Sequence, residues 1–422
     1  MEKEAKIKIL KDLIDIKSVN DNESEVAQFL LELFQAHGIE AKLVAEFHNR
    51  SNIVAEIGTG EHPKIAFAGH LDTVHQGDER TWKSDPFQGT LRKGRMYGRG
   101  TTDMKAGLAD LAIAMIELKE SDTPIQGTIR FIGTIGEELT AAGSKFLTDK
   151  GYVDDLDAMV IAEPSGVSLH GLRSYVNSDG VTIDPEVLTN LLKKAFLSDA
   201  LEQHFIIKAH KGWMAYRVTA RGKAAHSSMP QMGINAINTL IQYYLAEKEF
   251  YAQLTESDPE LGRTIYSPDI FHGGEQINSV PDLAYEIVKV RTIPQVSNEE
   301  LIRRLKQLIV KLNAQPGIDL ELTVEHSELP VKSDNHTHLI DLFQKHAAHT
   351  MHEPDTLPTI GVSLGTDASE FRRRNQTMDV VVLGPGNTTA HSPNEYVEIS
   401  TYLDMIKLYK ATVIDFLAQN QG

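Results

Sequence analysis

The sequence predicts an α/β protein: a larger domain on a mostly parallel sheet, interrupted by a smaller inserted α+β domain. Three observations lead there. Short runs that are apolar on both faces, "IAFAG" (65–69), "TIRFIGTI" (128–135), "AMVIAE" (158–163) and "DVVVLGPG" (379–386), recur along the chain, with a helical stretch "LADLAIAMIELKE" (108–120) between the first two. Strands of that kind alternating with helices mark a parallel sheet covered on both sides. From 211 to 325 the pattern changes to period-two strands and amphipathic helices. Finally, 422 residues exceed what a single hydrophobic core usually serves.

Taken in order, Ile7, Leu10, Leu13 and Ile14 fall at helical spacing, as do Val26, Phe29, Leu30, Leu33 and Phe34 before Gly38 stops the second helix. The parallel-sheet runs follow, and the larger domain is assigned to 1–210 and 326–422. Within it, 167–207 fits no βα unit and reads as an atypical insertion. There Asp184 is expected to cap a helix with Pro185 in its first turn, and Val187, Leu188, Leu191, Leu192 and Phe196 form a stripe expected to pack on the parent domain. The inserted domain, 211–325, reads strand ("WMAYRVTAR"), helix ("INAINTLIQYYLAEKEF"), a strand near 266–274, strand ("DLAYEIVKVR"), helix with a Ser297/Glu300 capping box, and strand ("IDLELTVE"). That order is a β-α-β-β-α-β sandwich.

With 42 basic and 59 acidic residues the net charge is −17, which repels nucleic acid and anionic lipid; no nucleic-acid or membrane partner is expected. The chain has no apolar run near the roughly twenty residues of a membrane span, and its charged N-terminus carries no signal-peptide core, so a cytoplasmic location is expected. Cysteine is absent. Thiolate ligands and a cysteine nucleophile are thereby excluded, and any metal must be held by His, Asp and Glu.

Chemistry in an open parallel sheet collects beyond the carboxyl ends of the strands. Here those ends carry His70 and Asp72, Glu137 and Glu138, Glu163, and, within "GPGNTTAHSPNEY", His391. Asp103 sits in "YGRGTTDMKAG", a glycine-rich turn leading into a helix. Two imidazoles and several carboxylates converging on one edge form the ligand set that Zn²⁺ takes when thiolates are lacking.

In combination and in this order, "GHLDTV", "GRGTTDMKAG", "GEE", "AEPSG", "GKAAHSS" and "AHSPNEY" resemble the co-catalytic di-zinc amidohydrolases and exopeptidases, the family of succinyl-diaminopimelate desuccinylase, acetylornithine deacetylase, aminoacylase-1 and carboxypeptidase G. The resemblance covers the chain apart from 167–207. It implies a zinc-hydrolase catalytic domain with the inserted domain as lid and dimerisation module, and two Zn²⁺ per chain, replaceable by Co²⁺. His70 and Glu163 would bind one ion, Glu138 and His391 the other, and Asp103 both. Asp72 would accept a hydrogen bond from the far nitrogen of His70 and fix its tautomer, and a cis peptide is implied between Asp103 and Met104. A water shared by such ions has its pKa lowered toward about 7. Glu137, immediately before a ligand position, is left to take that water's proton and return it to the leaving amine. His226 would donate to the oxyanion, often from the partner subunit, and Asn278 and Arg291 would hold the substrate, Arg through its bidentate fork.

The expected reaction is hydrolysis of the amide of an N-acyl amino acid, of the desuccinylase or deacetylase type; the alternative is a dipeptidase or carboxypeptidase with the same di-zinc chemistry. The partners expected are a small N-acyl amino acid or short peptide and a second copy of the chain, joined through 211–325. A non-catalytic relative would lack the base or a ligand, and here Glu137 and the five ligand positions are intact. His346, His349 and His352, at i, i+3 and i+6, drift around a helix without carboxylate partners and are read as no metal site. "GTDASEF" (365–371) is read as pocket lining and no more. No phosphate loop or G-x-S-x-G elbow appears.

Overall fold

The computed structural model describes residues 1–47, 49–178, 180–334 and 336–418. The chain folds as two compact units, the larger comprising 1–209, 332–361 and 366–422 and the smaller 210–331 with 362–365.

Among the described residues the larger unit is built on a sheet of eleven strands. Nine follow one another in the order Glu40–Phe47, Arg50–Gly58, Thr128–Thr134, Lys64–His70, Ala158–Ser168, Asp379–Asn387, Ile206–His210, Thr359–Val362 and Val181–Thr182. The four strands from Thr128–Thr134 to Asp379–Asn387 run parallel, and the strands on either side pair antiparallel to them. The register matters for function. Ala68 lies opposite both Ile132 and Ile161, so two residues further on His70 comes level with Thr134 and Glu163.

Two strands overrun the expected ends. Ala158–Ser168 continues through Glu163, and Asp379–Asn387 continues through the glycines at 384 and 386. Both are buried on both faces, so no polar alternation marks where they stop. The helix Lys105–Glu120 is also apolar nearly all round, and 13 of its 16 residues are buried, as a helix enclosed by sheet and further helices requires. Gly107 is needed at its first turn: a Cβ there would stand 2.1 Å from the Ala162 carbonyl oxygen. The helix therefore rests on the strand beside Glu163 through bare backbone.

The 167–207 segment supplies Glu202–His204 and Ile206–His210 to the large sheet. Asp184 caps the helix Pro185–Ala195, its Oδ1 accepting from the amides of Glu186 (2.8 Å) and Val187 (3.1 Å). Of the expected stripe only Leu191 is fully buried, and Phe196, just past the helix end, is 89% exposed. The 346/349/352 histidines also differ from expectation: His346 meets Asp415 (2.9 Å) and His352 meets Asp404 (3.3 Å), carboxylates of the helix Ile399–Ala418. Those partners differ, and among the described residues no metal-like group forms there.

The smaller unit is a four-stranded antiparallel sheet in the order Ile265–Gly273, Leu283–Thr292, Gly212–Arg221, Leu320–Glu328. The helices Ala236–Gln253 and Asn298–Asn313 bury one face, against Met214, Tyr216, Val218, Val288 and Val290. The last strand runs three residues past the expected boundary at 325. Ser297 caps its helix by accepting from the Glu300 amide (3.2 Å), but the Glu300 carboxylate turns to Arg303 and Arg304 instead of closing the box.

This core also holds two glutamates with no exposed surface, Glu247 and Glu286. Tyr216 and Tyr243 donate to Glu247, whereas neither oxygen of Glu286 has a hydrogen-bond partner among the described residues. Burial, reinforced by Glu247, pushes the Glu286 carboxyl up to about 8, and burial pushes Glu247 to about 7. A carboxyl whose folded pKa is raised is stabilising while protonated and loses that contribution as pH climbs through the folded value. The smaller unit's thermal stability is thus expected to fall as pH rises from the ordinary carboxyl value of 4.5 to about 8, and to level off above that. Glu286→Gln should flatten that fall and melt higher than the native chain at pH 9, which thermal unfolding across the pH range will show.

Candidate metal centre

The residues expected at the strand ends of the larger unit do meet. His70 Nε2 lies 3.0 Å from Asp103 Oδ1 and 3.6 Å from Glu163 Oε1. His391 Nε2 lies 3.2 Å from Asp103 Oδ2 and 3.1 Å from Glu138 Oε2. The two oxygens of Asp103 thus face two different imidazoles, each with a second carboxylate beside it. Ligand atoms of His70, Asp103 and Glu138 lie within 4.8 Å of one another, as do those of His70, Glu137 and Glu163. Glu137, expected to stand aside from the ligands, is therefore also within ligand range of His70 and Glu163.

The local backbone is unusual where these groups are aimed. Asp103–Met104 is a cis peptide, and His391 occupies the left-handed region at φ 61°.

Electrostatics give the cluster its character. Burial pushes Glu137 and Glu163 well above the carboxylate range; Glu163 adds to the shift of Glu137, and Asp103 to that of Glu163. Burial would also raise Asp103, but hydrogen bonds from His391 and His70 hold it low. Burial would lower His70, yet Glu163, Asp103 and Asp72 lift it well above its usual value. His391 is raised to about 10 by hydrogen bonds to Asp103 and Glu138. Four carboxylates crowded around two imidazoles out of water repel one another, and divalent cations resolve such crowding. The donor set, nitrogen and oxygen without sulfur, suits zinc.

Asp72 meets His70 through both its main chain and its carboxylate. His70 Nδ1 is 2.9 Å from the Asp72 main-chain oxygen and 3.5 Å from its carboxylate. A carbonyl oxygen only accepts, so Nδ1 carries a proton; a bound cation would take the place of the second proton, the one on Nε2 that Asp103 accepts. The Asp72 carboxylate accepts from the amides of Glu137 and Glu138, both at 3.2 Å, at the start of the short helix Glu137–Thr140. It fixes the turn that carries both glutamates.

Sequence reading missed three buried residues. Glu395, with no exposed surface, accepts at one oxygen from the amides of Gly100 (3.0 Å), Thr102 (2.7 Å) and Asp103 (3.1 Å). Its other oxygen pairs with buried Arg99, which also donates to the His75 carbonyl (3.3 Å) and approaches that of His391 (3.5 Å). One ion pair thereby ties the Asp103 loop to the His391 loop. Asp367, within "GTDASEF", accepts from Thr134 and Ser144, and burial raises it to about 6. Its charge bears on Glu137 and Glu163, a larger part than pocket lining. The "NEY" after His391 was the one available sign of Glu395.

In the smaller unit His226 and Asn278 come together: His226 bridges Ser279, and the Ser227 amide donates to the Asn278 carbonyl (3.0 Å). Arg291, expected to hold substrate as Asn278 does, lies at the other end of the sheet. It sits opposite Trp213, whereas the far end of the same strand pair is Arg221 opposite Leu283. Those rungs are eight residues apart, about 26 Å at about 3.3 Å per residue, and His226 and Asn278 follow and precede that far end.

A cage of His and carboxylate at the carboxyl ends of a parallel sheet, buried except at the half-exposed His391, defines a metal-dependent hydrolase. Residues 66–415 match the family model described as Peptidase family M20/M25/M40, and the chain belongs to that family. It is 36% identical, over 98% of both chains, to a probable succinyl-diaminopimelate desuccinylase of Staphylococcus aureus (strain MSSA476). Among solved structures it resembles the aminopeptidase PepT of Bacillus cereus, at TM-score 0.73 and 21% identity, with 99% of this chain and 100% of that one covered. It also resembles the YXEP protein of Bacillus subtilis, a dinuclear metal binding peptidase, at TM-score 0.68 and 15% identity over 98% of each chain. At those identities the structural likeness is one of fold. Among the described residues no helix is long and apolar enough to cross a membrane.

Glu395→Gln keeps the shape but removes the charge that three amides and Arg99 share. Hydrogen bonds to charged groups contribute about 1.5–3 kcal/mol each, so this variant is expected to bind divalent cations at least about tenfold more weakly. Chelator competition on the purified protein measures this without turnover; unchanged affinity would remove Glu395 from the support of the centre.

Proposed function

We propose that the protein is a di-zinc amidohydrolase that removes a short acyl group from an N-acyl amino acid, of the succinyl-diaminopimelate desuccinylase type. One observation carries the reading: the two oxygens of Asp103 each face a separate imidazole, flanked by Glu163 on one side and Glu138 on the other. That is a two-ion donor set, and a fold relative is described as dinuclear. His70 and Glu163 would hold one ion, His391 and Glu138 the other, and Asp103 both. The full-length relative named as a probable desuccinylase supports the acyl-amino-acid class over a peptide.

Bound ions supply positive charge that polarises the amide carbonyl and acidifies water. The chain's own groups do the rest. Glu137, on the turn held by Asp72, takes the proton of the attacking water and returns it to the departing amine. In the smaller unit His226 Nδ1 accepts from the Ser228 amide at 3.2 Å. An amide only donates, so the neutral ring carries its proton on Nε2, the tautomer that donates to a developing oxyanion. Arg291 offers a carboxylate its two-pronged fork.

His226 and Arg291 of one copy are too far apart along their sheet to reach one small substrate. The site is therefore read as shared, with His226 and Asn278 contributed by a second copy. Apolar side chains exposed on the edge strand (Ile265, Ile270, Phe271) and on the neighbouring helix (Ile241, Leu245) suit a homodimer formed through this unit.

With Zn²⁺ or Co²⁺, N-succinyl amino acids are expected to be hydrolysed faster than N-acetyl amino acids or dipeptides; a preference for dipeptides in that panel overturns the substrate class. Glu137→Gln should keep both metals and lose about a hundredfold or more in turnover, as metal analysis beside the assay will show. Mixing His226→Ala with Glu137→Gln subunits that exchange should recover activity that neither parent has, and its absence would place His226 in its own chain's site.

A further inference from the structure

The segment 167–207, which carries none of the motifs shared with the amidohydrolases, sets two side chains behind the loop of His391. Its strand Glu202–His204 pairs with the end of Ala158–Ser168, His204 opposite Gly166 and Glu202 opposite Ser168. Asn387 pairs with the same Gly166 from the other edge of that strand. Glu202 and His204, two residues apart on a strand, point to one face, and both reach across to Asp379–Asn387. Gly166 makes the crossing possible: a Cβ there would stand 2.4 Å from His204 Nε2. His204 is fully buried and fastens the strand in place. Its Nε2 donates to the Pro385 carbonyl (3.3 Å), and Glu353 accepts from its main-chain amide (2.6 Å) and from Nδ1 (2.9 Å).

Glu202 reaches the loop itself. Its Oε1 accepts from Asn387 Nδ2 at 2.9 Å, and the other hydrogen of that nitrogen goes to the Tyr396 carbonyl at 3.1 Å. Asn387 Oδ1 accepts from the amide (2.9 Å) and the hydroxyl (2.7 Å) of Thr389. An amide N–H only donates, so the Asn387 side chain can sit only this way round, with each of its hydrogen-bonding places taken. Thr389 stands two residues before His391 and Tyr396 five after it, and Thr389 Oγ1 also accepts from the Tyr396 amide (3.3 Å). Asn387 thus closes both ends of the loop that holds His391 at φ 61°. Thr102 meets the same loop at the Tyr396 carbonyl (2.7 Å), but the amide of Asp103 keeps its own bond to Glu395. Glu202 and Asn387 are both buried, so a partner lost from this pair leaves a polar group stranded. None of these bonds touches His70 or Glu163, and His70 takes its orientation from the Asp72 carbonyl.

We propose that Asn387 and Glu202 are positioning residues for the ion of His391 and Glu138, and that 167–207 supplies part of the metal centre's support. Glu395 ties the His391 loop to the loop of Asp103 and so bears on both ions. The Asn387 clamp acts through the His391 loop instead. What Glu202 contributes is an acceptor oxygen, held in place by a strand with its own anchor at His204. The two ions therefore depend unequally on this segment. The inference rests on the two-ion reading above.

Competition for Zn²⁺ between a chelator and the purified protein, read as ions retained per chain, tests this without turnover. The native chain is expected to hold two ions. Glu202→Met should keep one with native affinity and bind the other about tenfold or more weakly, the effect of stranding one buried donor. Glu202→Gln retains an oxygen for Asn387 and should hold both ions as the native chain does. Asn387→Asp sets a carboxylate against Glu202 and should weaken the same single ion. Adding Glu202→Gln to Asn387→Asp exchanges donor and acceptor across the pair and should recover most of that loss. Equal weakening of both ions in Glu202→Met, native affinity for both ions in Asn387→Asp, or no recovery in the double variant would each overturn the inference. If Glu202→Met does not fold, Asn387→Asp with and without Glu202→Gln decides. Two ions on the native chain, both indifferent to Glu202→Met, overturn this inference alone; fewer than two on the native chain overturn the two-ion reading and this inference with it.

Discussion

The candidate metal centre depends on a carboxylate outside its proposed ligand set. Glu395 gathers three consecutive-loop amides and a buried guanidinium, and through them the loop of Asp103 and the loop of His391 become one rigid piece. The two oxygens of Asp103 face two different imidazoles at once, and the role proposed for them requires the backbone behind them to be fixed. Asp72 does the same on the opposite side, where its carboxylate holds the Glu137–Glu138 turn and its carbonyl sets the His70 tautomer. The candidate ligands are thus held by a second set of charged groups behind them.

Much of this was legible in the sequence, for identifiable reasons. His70, Glu137, Glu138 and His391 follow apolar runs, and the rule that chemistry gathers at strand ends finds them. Lack of cysteine narrowed the ligands further. Glu163 was picked out although its strand does not end there, because a strand buried on both faces shows no alternation to mark its limits. Arg99 and Glu395 lie 296 residues apart, and a pair of that kind leaves no local pattern. Asp367 was hidden in a stretch whose polar residues read as ordinary lining.

The smaller unit shows the limit of motif reading more sharply. His226, Asn278 and Arg291 were each recognisable, yet their grouping was not, because only strand register reveals that two of them occupy one end of the sheet and the third the other.

Gly107 carries a last consequence. With no side chain between the helix and the Ala162 carbonyl, the gap separating those two pieces of backbone is fixed by hard atomic contact, and the cushion of adaptable apolar groups found elsewhere in the interior is missing. A displacement of that helix is therefore passed directly to the strand that carries Glu163, so repacking of the surrounding core is felt at the carboxylate beside it.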